Sequence, residues 1–313
     1  MKNKALTTFG FLIACFLITT ENSYAQYATE ITITDIGNAT IAKKMEQEAS
    51  RLLTAFNDAY IKEQQPSIRN VRDQGSVSAL WAISPFKCIE TEIIERGYRT
   101  KNGYQLRNIP MFLKGVPEED AERDIAIDFD NNGNISGIHF TISVGGFLSE
   151  ANEVTDLRKR LELVDFVEKF RTAYNRKDIK NISNKFSDDA QIITGRVKKV
   201  NNVEGRFVYE DIEYTSQTKQ EYIAGLTRNF ANNRVIDVQF GEIEIMQHPK
   251  YDHIYGIMFT QVWNATNYSD VGHVFLYIDF RDENNPLIKV RTWQPEEFKG
   301  RTPVLNDFLE KVL

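Results

Sequence analysis

The sequence predicts an α+β protein of two modules, each a long helix packed on a curved antiparallel sheet. A helical pattern of apolar residues, followed by a series of strand-like segments, occurs twice along the chain. The length of 313 residues also allows two domains that each bury a core of their own. We place the first module at residues 41–147 and the second at residues 156–300. The repeated order allows a divergent duplication of one fold.

The first module begins with a helical pattern. Apolar residues spaced by three and four predict a helix of about six turns that ends before Pro66: Met45, Ala49, Leu52, Phe56 and Tyr60. Polar residues 65–78 predict a loop, and β-rich segments predict strands at residues 80–83, 88–96 and 103–110. Alternating apolar residues at 125–130 and 135–144 predict a last hairpin across the turn sequence at residues 131–134.

The second module repeats this order after a polar linker at residues 145–153. One helical stripe predicts its long helix: Leu157, Leu161, Val164, Val167, Phe170 and Tyr174. A short helix is predicted at residues 179–186 and a further helix at residues 218–232. Strand patterns lie near residues 191–197, 207–214, 235–246, 254–264, 271–281 and 287–293.

Two short motifs in the second module carry a family resemblance. Residues 174–178, Tyr-Asn-Arg-Lys-Asp, and residues 186–190, Phe-Ser-Asp-Asp-Ala, resemble the helix break and first-strand sequence of the nuclear transport factor 2-like, or cystatin-like cone, superfamily. The resemblance implies a cone-shaped sheet wrapped around a helix. Residues 90–97, 170–178 and 291–295 are also similar to a group of exported Bacteroidetes proteins of unknown function, which implies fold and compartment and no activity.

The superfamily includes ketosteroid isomerases, scytalone dehydratases and polyketide cyclases beside members that bind or scaffold, so fold alone does not select a function. By the resemblance, the isomerase's oxyanion tyrosine would fall on Phe170 and its general-base aspartate near Thr194. Neither residue can perform that role, and enolisation needs both a base and an oxyanion donor. No histidine–aspartate pair stands at the dehydratase positions either. We therefore predict no catalytic residues in these positions.

The strand at residues 271–281 alternates in a way that suggests a ligand-binding face. Its even positions are apolar from Val274 to Phe280, so His273, Tyr277 and Asp279 share the opposite face. Such a face can line a pocket, cover a partner subunit or meet solvent. The ligand-binding residues that we predict are Trp263, Tyr268, His273, Tyr277 and Trp293.

No metal or other cofactor is predicted. The four histidines show no pair at metal-ligand spacing, and there is no cysteine cluster. The segment Asp128–Gly133 begins like a calcium loop, but His139 stands where a bidentate glutamate would be needed. Strand-like residues flank it, so it is better explained as a hairpin turn.

Residues 1–25 predict a cleaved export signal, with Lys2 and Lys4 ahead of an apolar run and small residues up to Ala25. We expect a periplasmic or secreted protein that begins at Gln26 and has no membrane span after cleavage. A lipoprotein anchored at Cys15 is the alternative, although the apolar run continues beyond that cysteine. Loss of two lysines and one glutamate changes the formal net charge from −6 to −7, which argues against a nucleic-acid partner.

These observations favour an exported, non-enzymatic protein that binds a small apolar ligand or a protein partner through its second module. The alternative is an enzyme of the same fold acting on a small carbonyl or cyclic substrate, with His273 as base and Tyr277 or Asp279 assisting. A third hypothesis is a homodimer formed through the open sheet face.

Overall fold

A computed structural model describes residues 28–142, 156–201, 208–266 and 268–295. These residues form five α-helices and twelve strands in two modules, each with its own sheet and its own core. The α+β prediction is confirmed. The predicted export signal with Cys15, and the predicted linker at residues 145–153, lie outside the described residues.

The first module packs its helices against a six-stranded sheet in one shared core. Strand order is β1-β3-β4-β5-β6, with β2 pairing with β4, and β1 runs parallel to β3 whereas the other pairs are antiparallel. Its elements are β1 (Glu30–Thr34), α1 (Ala39–Ile61), α2 (Gln74–Ile83), β2 (Phe86–Cys88), β3 (Glu92–Thr100), β4 (Gly103–Leu113), β5 (Glu122–Asp130) and β6 (Ile135–Phe140).

Helix α1 and the β5–β6 hairpin confirm the predictions, but α2 corrects two. Residues 74–78 are predicted as part of a loop and form the start of α2, and residues 80–83 are predicted as a strand and lie in its last turn. The Asp73 side chain caps this helix by accepting from the backbone N–H of Ser76. A short apolar run does not distinguish a buried strand from a buried helix turn, and the cap decides here.

The second module wraps a six-stranded sheet around a long helix. Strand order is β8-β7-β12-β11-β10-β9, and β12 runs parallel to β7 whereas the other pairs are antiparallel. Its elements are α3 (Leu157–Asn175), α4 (Ile179–Lys185), β7 (Phe186–Asn201), β8 (Val208–Thr218), α5 (Lys219–Asn232), β9 (Ile236–Gln247), β10 (Ile254–Ala265), β11 (Tyr268–Asp279) and β12 (Leu287–Gln294).

Every element predicted for the second module is present, although both sheets are mixed and not wholly antiparallel. Register shifts interrupt the β9–β10, β11–β12 and β12–β7 pairs. Extra residues of this kind bend a strand and increase its twist, which curls the sheet. The apolar stripe of α3 packs inside the curl, where Val164, Val167 and Phe170 are buried.

One buried carboxylate joins the two modules. Glu168 on α3 is fully buried and accepts four hydrogen bonds from the first module. Arg107 on β4 donates two of them, at 2.7 and 2.8 Å, and the Ile142 backbone N–H donates a third at 2.8 Å. His139 on β6 supplies the fourth, with its Nε2 3.0 Å from the carboxylate. Burial of so many polar groups is tolerated because each has a charged or dipolar partner.

Glu168→Gln is expected to lower the free energy of unfolding by about 3 kcal/mol, because it leaves the buried Arg107 guanidinium without its charged partner. Urea denaturation of the purified protein measures this. Glu283→Gln is the matched control, since Glu283 is largely exposed in its pair with Lys159 and should cost less than about 1 kcal/mol. Equal losses in the two variants would contradict the role assigned to Glu168.

Stability is expected to fall as the pH rises from about 6.5 to about 9. Burial alone lowers the pKa of His139, but Asp128 and Glu168 outweigh it and raise the pKa to about 9. A group with a raised pKa in the folded state stabilises the fold below its unfolded pKa, and this contribution is lost through the folded pKa. The midpoint of thermal unfolding, measured across this pH range, reports the loss of stability. In His139→Gln the midpoint should change less with pH. An equally steep fall in His139→Gln would refute the assignment.

Candidate functional site

The interior of the second module collects polar side chains within aromatic walls. Opposite residues of paired strands point to the same face of a sheet. Because Trp263 lies in the core, Asp270 opposite it on β11 also points inward. On β12, Arg291 and Trp293 lie opposite the core residues Leu276 and Val274. Helices α3 and α5 close this interior site with the side chains of Tyr174 and Tyr222.

Arg291 is the central charge of the interior site. Its side chain is 5% exposed, its Nη2 donates to Gln261 Oε1 at 3.1 Å, and its guanidinium lies 5.5 Å from the centre of the Tyr222 ring. Burial alone lowers the pKa of Arg291, but the hydroxyls of Tyr222 and Tyr174 and the carboxyl of Asp270 raise it. The guanidinium therefore stays charged in an environment with little water.

A pair of tyrosine hydroxyls stands beside this charge. The hydroxyl oxygens of Tyr174 and Tyr222 are 2.6 Å apart, and either can donate. Burial raises the pKa of Tyr174 well above its usual value, so its phenol is neutral at physiological pH. Trp263 completes the wall by stacking on Phe230 and meeting Tyr174 edge to face. The site is thus aromatic on its walls and hydrogen-bonding at its centre.

Three buried polar atoms of the interior site have no hydrogen-bond partner among the described residues. They are Nε of Arg291, Nε1 of Trp263 and Oδ1 of Asp270. Burial also raises the pKa of Asp270, whose other oxygen accepts from the Tyr268 hydroxyl at 2.5 Å. A buried donor left unpaired costs about 1–3 kcal/mol, so such atoms normally contact a water or a ligand. The interior site offers two free donors and one free acceptor.

The structure separates the five predicted ligand-binding residues. Trp263 and Trp293 face the interior site, and Tyr268, 55% exposed, reaches it through its bond to Asp270. His273 and Tyr277 lie on the opposite face of the sheet. They are four residues apart on one strand, which spaces them by about 13 Å. They therefore do not meet each other or the interior site.

The outer face of the sheet is closed at its centre within a single chain. Phe275 and Val290 are fully buried there, and Tyr277 packs with them and with Ile254. Asp279 is held by Arg281, whose backbone N–H and Nε donate to its carboxylate. A homodimer formed through this face would have to use its rim, where Val271 is exposed.

The sequence pattern did not identify Arg291, Asp270, Gln261 or the two tyrosines as residues of a site. A bulge explains the first, because the register between β11 and β12 shifts between Tyr277 and Ile278. The shift breaks simple alternation along β12, so Arg291 points inward although Ile288, three residues earlier, points inward as well. The one sequence signal for the position of Arg291 is an arginine within a strand that is otherwise suited to burial.

One group of described residues has the geometry of a metal site. Ligand atoms of Asp128, His139 and Asp165 lie within 4.8 Å of one another. Lys169 Nζ, however, lies 2.8 Å from Asp165 and 4.0 Å from Asp128 and supplies the positive charge. The raised pKa keeps His139 protonated at neutral pH, and an imidazolium cannot bind a metal. The group is an ion-pair network between the modules.

Among the described residues, no helix combines the length and the apolarity that crossing a bilayer needs.

The order of elements in the second module, a long helix and a short helix before a curled six-stranded sheet, agrees with the cone-shaped sheet around a helix that the sequence resemblance implies. No family model matches the sequence, and no curated protein matches it. Solved structures do match, among them a nuclear transport factor 2-like protein of unknown function from Shewanella oneidensis, which is 11% identical. The match covers 43% of this chain and 98% of that chain, with a TM-score of 0.31.

Two further matches extend the comparison. A protein from Novosphingobium aromaticivorans, assigned as a scytalone dehydratase, is 10% identical over 44% of this chain and 84% of its own, with a TM-score of 0.32. The protein Bd1075 of Bdellovibrio bacteriovorus is 11% identical over 64% of this chain and 79% of its own, with a TM-score of 0.36. At these identities and TM-scores the likeness says nothing about ligand or reaction.

Gly272→Ala is expected to disturb the interior site, because an added Cβ would overlap the Trp293 indole ring. We expect a loss of about 1–3 kcal/mol in stability and a change in tryptophan fluorescence as the ring is displaced. Gly225→Ala on α5 is the control, since its Cβ meets nothing closer than the end of Arg228 and should stabilise the helix slightly. An unchanged emission spectrum in Gly272→Ala would contradict this packing.

Proposed function

We propose that the chain is an exported binding protein whose interior site holds a small, largely apolar ligand carrying one hydrogen-bond acceptor, a carbonyl or a carboxylate. The observation that supports it most directly is the free Nε of Arg291, a charged donor buried within aromatic walls. Ligand sites are commonly apolar with a few converging polar groups. An acceptor placed here would pair with Arg291, and the indole N–H of Trp263 is a second free donor.

The free donors refine the ligand expected from the sequence. A wholly apolar molecule would leave Arg291 Nε and Trp263 Nε1 without partners after displacing any water, which is costly. A ligand with several charges is also disfavoured, because Arg291 is the main cation of the interior site and Asp270 lies beside it. A planar body suits the rings of Trp263 and Trp293.

The enzymatic alternative has less support in the geometry. Its base, His273, lies on the outer face, and Tyr277 and Asp279 stand farther along the same strand. Phe170, at the position that the family resemblance gives to the oxyanion tyrosine, is buried in the core and has no hydroxyl. Asp270 and Tyr174 could exchange protons with a ligand, but neither has a basic partner among the described residues that is positioned to activate it.

Export remains part of the proposal and is supported by residues 1–25 of the sequence. In this proposal the mature chain begins at Gln26 and acts in the periplasm or outside the cell. A lipid-modified chain beginning at Cys15 is the competing form. The two forms differ in mass and in detergent requirement, so one measurement separates them.

Native mass spectrometry of the protein expressed with its own first 25 residues tests both parts. We expect a polypeptide mass that begins at Gln26 and a retained small molecule in the wild-type protein. Arg291→Met should lose the molecule or bind it about 10–100 times more weakly, because one charge-assisted hydrogen bond is removed.

Arg281→Met is the matched control, since Arg281 is exposed on the opposite side of the sheet. It should retain the molecule as the wild type does. Circular dichroism of each variant excludes loss of fold as the cause. A wild-type protein without a bound molecule, or equal retention by the Arg291 and Arg281 variants, would contradict the binding proposal. A polypeptide mass that still includes residues 1–25 would contradict export.

A further inference from the structure

A cavity, separate from the interior site, opens between the two modules. Its volume is about 560 Å³, and both modules line it. We call it the intermodule cleft. The first module contributes residues of β3, β4, β5 and β6, and the second contributes α3 and β9. Among its lining residues are Asn108, Asp124, Phe140, Ile142, Arg171 and Phe240.

Arg171 is the unusual residue of the intermodule cleft. It is 4% exposed, and its Nη1 and Nη2 donate to the backbone carbonyls of Thr141 and Phe140. Its Nε is buried and has no partner among the described residues. No carboxylate of the described residues lies within salt-bridge distance of its guanidinium. Burial lowers the pKa of Arg171 to about 10, which still leaves it charged at neutral pH.

The neighbouring arginines show what Arg171 lacks. Arg107 forms a two-point ion pair with Glu168 at 2.7 and 2.8 Å. Arg123 does the same with Asp237 at 3.1 and 3.3 Å. Both therefore hold a carboxylate in the planar arrangement that guanidinium groups prefer. Arg171 lines the same cavity with no carboxylate of the described residues paired to it directly, although Glu168 and Asp237 act on it from farther away, and a buried charge without a direct partner is costly.

We propose that the intermodule cleft binds a small organic monocarboxylate through Arg171. The carboxylate supplies the counter-ion that Arg171 lacks, and an aromatic or aliphatic body packs against Phe140, Ile142 and Phe240. The carboxylate of Asp124 lines the same space, so a second negative charge on the ligand is disfavoured. Such a ligand bridges the modules, because Arg171 belongs to the second and Phe140 to the first.

Isothermal titration calorimetry with phenylacetate tests the proposal, and phenylsuccinate is the dicarboxylate comparison. The wild-type protein is expected to bind phenylacetate with a Kd of about 1 mM or tighter and phenylsuccinate at least several-fold more weakly. Arg171→Gln should weaken phenylacetate binding tenfold or more.

Arg171 also donates to two backbone carbonyls, so Arg171→Gln removes structural hydrogen bonds as well as the binding group. A second variant therefore leaves Arg171 in place. Asn108→Asp places a negative charge at the exposed rim of the cleft and should weaken phenylacetate binding several-fold. Asn284→Asp, equally exposed but in the turn before β12, is its matched control and should bind as the wild type does.

Arg291→Met separates this proposal from the interior site. Binding that persists in Arg291→Met and weakens in Arg171→Gln and Asn108→Asp is binding in the intermodule cleft. The proposal is overturned if the wild type does not bind phenylacetate, or if Asn108→Asp and Asn284→Asp bind it equally. Binding lost in Arg291→Met but retained in a folded Arg171→Gln overturns it too, while leaving the interior site in place.

Discussion

The position of helix α3 depends on the carboxylate of Glu168. Four hydrogen bonds from the first module converge on this fully buried side chain: two from Arg107 on β4, one from His139 on β6 and one from the Ile142 backbone N–H after β6. Loss of any one donor leaves a buried charge undersatisfied, so the arrangement tolerates little displacement. The two modules are thereby held by a directional interaction and not by apolar contact alone.

The same helix carries residues for two different surroundings. Phe170 and Tyr174 point into the curled sheet of their own module, whereas Glu168 and Arg171 point to the other module. An α-helix has 3.6 residues per turn, so these two pairs of side chains project from different sides of α3. Eleven of its nineteen residues are buried, and the helix is enclosed on most of its circumference. Any shift of α3 would therefore alter the interior site and the intermodule cleft together.

The sequence predicted the elements whose pattern extends over many residues. The stripes of α1 and α3 and the strands of the second module repeat often enough for their period to be clear. It did not predict α2, because four apolar residues fit both a strand and a helix turn. The parallel pairing of β1 with β3 was not predicted either, because the paired residues Glu30 and Glu92 are 62 residues apart in the sequence.

The site was less predictable than the fold, for a physical reason. Trp263 and Trp293 are recognisable as large aromatic residues, but the inward position of Arg291 depends on a bulge that only the pairing of β11 with β12 reveals. Glu168 and Arg171 read in sequence as solvent-facing charges on an amphipathic helix. Their burial arises because the first module covers that face, and the hydrophobic periodicity of α3 does not indicate this contact.

The central place of β12 in the second sheet affects how the chain is made. β12 lies between β7 and β11, although it is the last of the described strands to be synthesised. Until it exists, β7–β8 and β9–β11 are two separate ribbons, each with an unpaired edge that can join another chain. Nascent chains therefore pass through an aggregation-prone stage that is long compared with that of a sheet built in sequence order. A chaperone that covers the edges of β7 and β11 would shorten that exposure.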